Sequence, residues 1–395
     1  MQTTIPPIRV LFLSAWYPNK TDTMFGLFVK RHAQCISAYA DVSVLYIHPH
    51  PTLKINYEVE INSDGKLKKI IVYYKSSTSK IPLISSGIKL YRYLTAYCKG
   101  LNTIKKEFGH FDLIHTNILT RTGVIAYLLH KFLRKPYIIT EHWSRYLPIT
   151  NTYKGVLRKW LTKIVVKNAS AVVPVSKSLK DAMLSNHLYN TNYHIIHNCV
   201  DTSMFHPVTK KTSPLKTILH VSCFEDRSKN ISGILRILKK LSTQRTDFVC
   251  RLIGDGIDKP AMEKLAQELG IYNTFAIFEG LKENENLIRI YQESDFFLLF
   301  SHYENMPVVI AEALSCGLPI IATSAGGIVE IVNKTNGILV NPNDENALLD
   351  SIITMIHNHS MYDKNKLHLE AVNLFDNKII GKKYLEIYKN VLKGE

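Results

Sequence analysis

The chain has no run of about 18 uncharged apolar residues among its 395, so no segment reads as a membrane-spanning helix. Its six cysteines, Cys35, Cys98, Cys199, Cys223, Cys250 and Cys316, lie far apart with no Cys-x-x-Cys spacing. That excludes the common zinc signatures and a disulfide framework, and reduced thiols in a cytoplasmic protein are the simplest expectation. No Asp-x-Asp pair occurs, so the usual short metal-holding signature is missing and no metal is expected. The glycine pairs match neither the spaced G-x-G-x-x-G of a dinucleotide site nor a P-loop. No RNA-binding signature motif is present. Acidic residues are scarce in one half: residues 1 to 205 hold 27 Lys+Arg against 10 Asp+Glu, whereas 206 to 395 hold 22 against 23. All of the net charge of +16 therefore lies in the first half. Its candidate partners are an anionic membrane surface, a phosphate-bearing molecule or nucleic acid.

What is present is a repeated rhythm. A chain of this length exceeds one core, and 46% hydrophobic content supports two. The N-terminal block reads as a first strand, not a signal peptide. Strand-like blocks recur at 8–15, 41–48, 111–117, 136–143 and 170–177, with helical patterns between several of them. After a polar connector at 206–216 they resume at 217–224, 247–256, 275–280, 295–301, 318–323 and 337–341. Continuous Val/Ile/Leu runs alternating with amphipathic helices mark parallel sheets covered on both faces. The expectation is two doubly wound α/β domains, 1–205 and 206–377, facing across a cleft. In such sheets ligands bind beyond the carboxyl ends of the strands, which directs attention to the turns.

Those turns hold the unusual residues. Arg227 and Lys229 precede a helix, where two cations beside a positive N-terminus repel unless an anion fills the gap, or else are solvated surface charges. Gly326 and Gly327 stand ahead of Glu330 at another strand-to-helix turn, and Gly254 opens a Gly-Asp-Gly. His142 ends a buried-type strand, a position that suits proton transfer, and His115 has a lesser claim. Residues 307–315 suit a helix opened by Pro307 and closed by Gly317, placing Glu304 in the turn before it and Glu312 between two alanines. A buried Glu312 needs a partner or a path to solvent. Residues 151–170 form an amphipathic helix whose apolar residues Val156, Leu157, Trp160, Leu161, Ile164 and Val165 are expected to pack on the sheet, its basic face free to meet acidic lipid headgroups. Residues 87–108 mix tyrosines and lysines in the same way.

Taken in order, SAWYPNKTDTMFGLFVKRHA (14–33), VPVSKSL (173–179), HNCVDTSMF (197–205), HVSCFEDRSKN (220–230), LIGDG (252–256), FEG (278–280), SHYENMPVVIAEALSCGLPIIAT (301–323) and GGIVEIV (326–332) resemble the retaining GT-B glycosyltransferases of family 4, also called glycosyl transferases group 1. The resemblance spans nearly the whole chain. It implies transfer of a hexosyl group from a UDP- or GDP-sugar to a hydroxyl of a glycan acceptor, with retention at the anomeric carbon. It implies that Glu312 binds the ribose diol, that Glu304 holds the donor sugar, and that Arg227 and Lys229 grip the diphosphate. Gly254, Leu281, Asn305, Met306 and Val308 complete the donor contacts, Gly26 lies in the loop that closes over the donor, and His142 approaches the transferred sugar. His142, Glu304 and Lys229 are the catalytic set. No cofactor is implied, since the nucleotide sugar is a substrate. The segment 378–395 is expected to form a helix crossing back to the first domain. Two departures stand out: Ser222 and Cys223 occupy positions where the family often has Gly-Arg, and Pro307, which has no N–H to give, follows Asn305 and Met306 in place of a glycine-containing turn. The basic first half and its amphipathic helices suggest a lipid-linked acceptor in cell-surface polysaccharide or lipopolysaccharide synthesis, at the inner face of the plasma membrane. The competing readings are a sugar-nucleotide epimerase or hydrolase on the same fold and a basic nucleic-acid- or membrane-binding protein without catalysis.

Overall fold

A computed structural model describes residues 7–77, 81–209 and 213–394. The chain forms two compact units, one of residues 1–175, 180–196 and 380–395 and one of 176–179 and 197–379. Within the second unit Val200 N–H donates to Phe375 O.

The first unit runs β1 (Arg9–Ser14), α1 (Leu27–Ser37), β2 (Asp41–His50), β3 (Tyr57–Asp64), β4 (Leu67–Lys75), α2 (Pro82–Phe108), β5 (Leu113–Asn117), α3 (Leu119–Leu133), β6 (Tyr137–Glu141), α4 (Val156–Asn168), β7 (Ala171–Pro174) and α5 (Lys177–Ser185), the last entering from the other unit. Its seven strands order as β3-β4-β2-β1-β5-β6-β7, all parallel except the β3–β4 hairpin at the edge. The second unit runs β8 (Lys216–Val221), α6 (Asp226–Lys229), α7 (Ile231–Ser242), β9 (Phe248–Ile253), α8 (Lys259–Glu268), β10 (Ala276–Gly280), α9 (Asn284–Glu293), β11 (Phe296–Leu299), α10 (Val308–Ser315), β12 (Ile320–Thr323), β13 (Gly337–Val340), α11 (Glu345–Asn358) and α12 (Lys364–Phe375), and the last helix, α13 (Asn377–Lys393), returns to the first unit from Ile380. Its six strands are all parallel in the order β10-β9-β8-β11-β12-β13. Every strand-like block named from the sequence is a strand. The two sheets are Rossmann-like, and each changes direction once, between β1 and β5 and between β8 and β11. Those are the topological switch points where an open α/β sheet offers a crevice to ligands.

The β3–β4 hairpin escaped the sequence reading. Val59 and Ile61 of its outer strand are exposed, so the apolar alternation has no core behind it, although Asp64-Gly65 is a hairpin turn signal. From Ile380 onward α13 packs on the first unit: Tyr388 OH hydrogen-bonds His115 Nδ1 at 2.7 Å, and Tyr384 OH meets Thr140 Oγ1 at 3.0 Å. A Cβ on Gly381 would lie 2.5 Å from Cys35 O, so only glycine lets α13 approach α1 this closely.

One expectation fails at α4. Val156, Leu157 and Trp160 are exposed, and only Thr162, Val165 and Val166 of that helix are buried. Gly155, at φ +98°, precedes the helix start at Val156, and α4 rests on α3 through Val165, leaving the first turn uncovered among the described residues.

Candidate active site

The carboxyl ends of β8 and β11 carry the second unit's unusual residues. The chain leaves β8 through Ser222 and Cys223 into α6, a single turn, and Asn230 in the left-handed region (φ +51°) then starts α7, its side chain accepting from Gly233 N–H. Arg227 and Lys229 therefore sit on a separate short turn ahead of the helix. Lys229 Nζ donates to Glu304 Oε1 at 2.5 Å, and Ser301 Oγ donates to the same oxygen at 2.8 Å. The counter-charge that the two cations seemed to require is thus supplied to Lys229 by the protein itself. Burial works to lower the Lys229 pKa, but the Glu304 carboxylate beside it outweighs burial and holds the ammonium above its ordinary range. Arg227 is exposed, and no ion pair holds it among the described residues.

The segment from Glu304 to Met306 is fixed from several sides. Asn305 Oδ1 accepts from Ser176 Oγ at 2.8 Å, Asn305 O accepts from Gly327 N–H at 2.8 Å, and Met306 O accepts from Asn198 Nδ2 at 2.8 Å. A Cβ on Gly326 (φ +53°) would lie 1.9 Å from Glu304 O. The glycine pair's visible work is to let this loop pass, and the turn beyond it is a 3-10 turn, Gly326–Glu330, not an α-helix. Glu330 accepts from the amides of Lys177 and Ser178 at 2.8 and 2.7 Å. Gly254 (φ +141°) likewise lies against the carbonyl of Ser222, and Leu281 is half-exposed just after β10.

Pro307 caps α10, which starts at Val308, and Glu312 on that helix is 3% exposed. It does not escape to solvent. Tyr291 OH, from α9, donates to Glu312 Oε2 at 2.9 Å, and the phenol ring stacks on Phe297. Tyr291 was missed in the sequence, although it continues the buried stripe of Leu287 and Ile288, where a buried tyrosine hydroxyl needs an acceptor. Beneath the site His220 hydrogen-bonds Ser222 Oγ at 2.7 Å and Leu298 O at 3.0 Å, and burial lowers its pKa to about 4.

In the first unit His142 and Gly26 lie near one aromatic cluster. Trp16 meets Phe25, Phe28 and Trp143, and Phe28 lies 4.9 Å from the His142 ring. Gly26 caps α1 at φ +69°, and a Cβ there would lie 2.5 Å from the Trp16 backbone. His142 Nε2–H donates to Asn117 Oδ1 at 3.3 Å, at the end of β5 beside the switch point. The turn bearing His142 is clamped by its neighbour: the fully buried Glu141 carboxylate accepts from the amides of His142 and Trp143, both at 2.8 Å, and of Leu119 at 2.9 Å. Burial raises the Glu141 pKa against the pull of those three donors. Ile118 between Asn117 and Leu119 holds φ +67°, a strained backbone for a β-branched residue. His115 points to the opposite face, toward Thr140 and Tyr388, and burial, with His32 nearby, keeps its pKa well below the ordinary value. It is a structural residue of the α13 contact.

Residues 202–367 match the family described as Glycosyl transferases group 1, and residues 58–204 match Glycosyltransferase Family 4. An uncharacterized glycosyltransferase of Methanocaldococcus jannaschii is 27% identical over 301 residues, 75% of this chain and 78% of its own. Among solved structures, sucrose-phosphate synthase from Thermosynechococcus elongatus superposes with a TM-score of 0.77 at 18% identity, covering 98% of this chain and 100% of that one. Anabaena HepE in complex with UDP superposes with a TM-score of 0.71 at 18% identity, covering 97% and 100%. These structures share the architecture of two parallel-sheet units. The matches to the two glycosyltransferase families adjoin in sequence, and with the fold they make the chain a glycosyltransferase of the GT-B type.

Proposed function

We propose that the chain transfers a hexosyl group from a nucleoside diphosphate sugar, most simply a UDP-sugar, to a hydroxyl of a lipid-linked glycan acceptor with retention of anomeric configuration. The observation that carries the reading is the pairing of two carboxylates at one switch point, each held by a named donor: Glu304 by Lys229 and Ser301, Glu312 by Tyr291. A carboxylate oriented by a phenol can accept both hydroxyls of a ribose diol. Arg227, exposed and without an ion-pair partner among the described residues, and Lys229 are the cations available to a diphosphate.

In the reaction the bond from the anomeric carbon to the diphosphate oxygen breaks, and a bond to the acceptor oxygen forms on the same face. The acceptor proton passes to the leaving diphosphate. The negative charge developing on that leaving group is what Arg227 and Lys229 stabilise. Glu304 and the Asn305–Met306–Val308 segment hold the sugar, and Gly254 and Leu281 border the nucleotide. The resemblance assigns His142, its ring hydrogen-bonded to Asn117, to the transferred sugar and Gly26 to the donor loop. The nucleotide sugar is a substrate, and the chemistry described uses no cofactor. Support for a UDP donor comes from HepE, whose structure holds UDP.

The test is a nucleotide-release screen of UDP- and GDP-sugars with and without a lipid-phosphate glycan, followed by proton NMR of the product. The reading expects acceptor-dependent UDP release and a product linkage matching the donor's anomeric configuration. Rapid acceptor-independent release to free or epimerised sugar would replace it with a hydrolase or epimerase.

A further inference from the structure

We infer that the face of the first unit formed by α2, α3 and α4 is a docking surface for an anionic lipid bilayer. Strand register shows that the three helices share one face. Leu45 pairs with Leu13, Leu13 with Thr116, and Ile114, two residues along the same strand, with Tyr137, so these side chains point the same way. Gly100 of α2 lies against Leu45, where a Cβ would come within 2.4 Å of it. His130 of α3 lies 5.4 Å from the Tyr137 ring, tilted to it, and Tyr137 OH donates to Val165 O of α4. The opposite face, with His115 and Thr140, is covered by α13.

The outer surface of these helices is apolar to an unusual degree. Leu83 is 84% exposed, Phe132 80%, Val156 87% and Trp160 58%, with Tyr91 and Leu157 exposed beside them on the same helices. Single exposed apolar residues are ordinary, but large ones on three helices of one sheet face are not. Charge decides what covers them. The three helices carry eleven Lys+Arg, namely 89, 92, 99, 105, 106, 121, 131, 158, 159, 163 and 167, and one acid, Glu107. The other two acids between 81 and 168 are neutralised in place: Asp112 pairs with Arg9 at 3.2 Å, and Glu141 is buried under three amides. A second copy of this face would set eleven cations against eleven. An aqueous polyanion would meet the charges and leave the apolar side chains wet. A bilayer with anionic headgroups over an acyl interior answers both, the long basic side chains reaching the phosphates while Trp160 and Phe132 enter below them. The inference stands on this surface alone and is independent of the donor chemistry.

The experiment is flotation of the full chain with vesicles of phosphatidylcholine alone and of phosphatidylcholine with phosphatidylglycerol at equal parts, in low and high salt. The expected result is flotation with the anionic vesicles only, weakened by salt. It should fall roughly tenfold or more in Lys159→Gln/Lys163→Gln and in Phe132→Ser/Trp160→Ser, since each cation near such a surface contributes a several-fold factor. Both pairs are exposed, and unchanged circular dichroism and melting temperature confirm that the variants are folded. Equal flotation with neutral vesicles, no flotation with either, salt-sensitive RNA binding without flotation, or a sedimenting dimer abolished by Phe132→Ser/Trp160→Ser would each overturn the inference.

Discussion

Lys229 and Glu304 lie on separate loops after β8 and β11, so their contact is a tertiary bond that a double-mutant cycle can isolate. The side chains are 17% and 8% exposed and 2.5 Å apart. Breaking such a pair by removing one partner strands the other charge, which costs about 3–5 kcal/mol for buried pairs. Ser301 still donates to Glu304, and Lys229 keeps some access to solvent, so each single change, Lys229→Met or Glu304→Gln, should cost about 3 kcal/mol, the lower end of that range. Removing both leaves no stranded charge, and the double variant should lose little more than one single, a coupling of about 2 kcal/mol. Urea unfolding at pH 7 followed by fluorescence and circular dichroism measures all four corners. The pH dependence has a definite sign: Lys229 is raised in the folded state, so its contribution is complete below the unfolded lysine range near pH 10.5 and disappears only as pH rises through the higher folded value. Additivity of the two substitutions within about 0.5 kcal/mol would refute the pair as a bond of the folded protein.

Two further outcomes follow from single side chains. Tyr291→Phe removes the phenol that orients Glu312, a hydrogen bond to a charged group worth about 1.5–3 kcal/mol, and should raise the KM for the donor roughly tenfold or more while leaving the KM for acceptor unchanged in steady-state assays. His220 is neutral and buried with its pKa lowered to about 4 from 6.5, so the unfolded chain binds the extra proton between those values and stability falls as pH drops through that window, by about 3 kcal/mol in all; His220→Gln should flatten the urea midpoint between pH 7 and 4.5, and an unchanged slope would count against it.

The strands were legible because a parallel strand covered on both faces is an uninterrupted apolar run, as in Phe296–Leu299 or residues 320–322. Glu304, Lys229 and Arg227 were legible as charges at strand ends and beside helix starts, and Glu312 as a carboxylate between alanines inside a helix. Less visible were the residues that orient them. Tyr291 is twenty-one positions from Glu312, and Asn117 twenty-five from His142, so only the pairing of parallel strands and the packing of α9 on the sheet brings them together. The strongest misreading, at α4, has a physical cause. Helical periodicity reports that one face is apolar but not what lies against it, and Val156, Leu157 and Trp160 stay exposed among the described residues.

The account rests most heavily on a nucleoside diphosphate bound at the β8–β11 switch point, its ribose on Glu312 and its phosphates on Lys229 and Arg227. Calorimetric titration of UDP and of uridine into the wild type, Glu312→Ala and Arg227→Ala/Lys229→Ala reads this directly. The account predicts at least roughly tenfold weaker UDP binding in both variants, from the loss of charged hydrogen bonds, with uridine sensitive to Glu312→Ala alone. UDP binding that both variants leave at the wild-type affinity would contradict it.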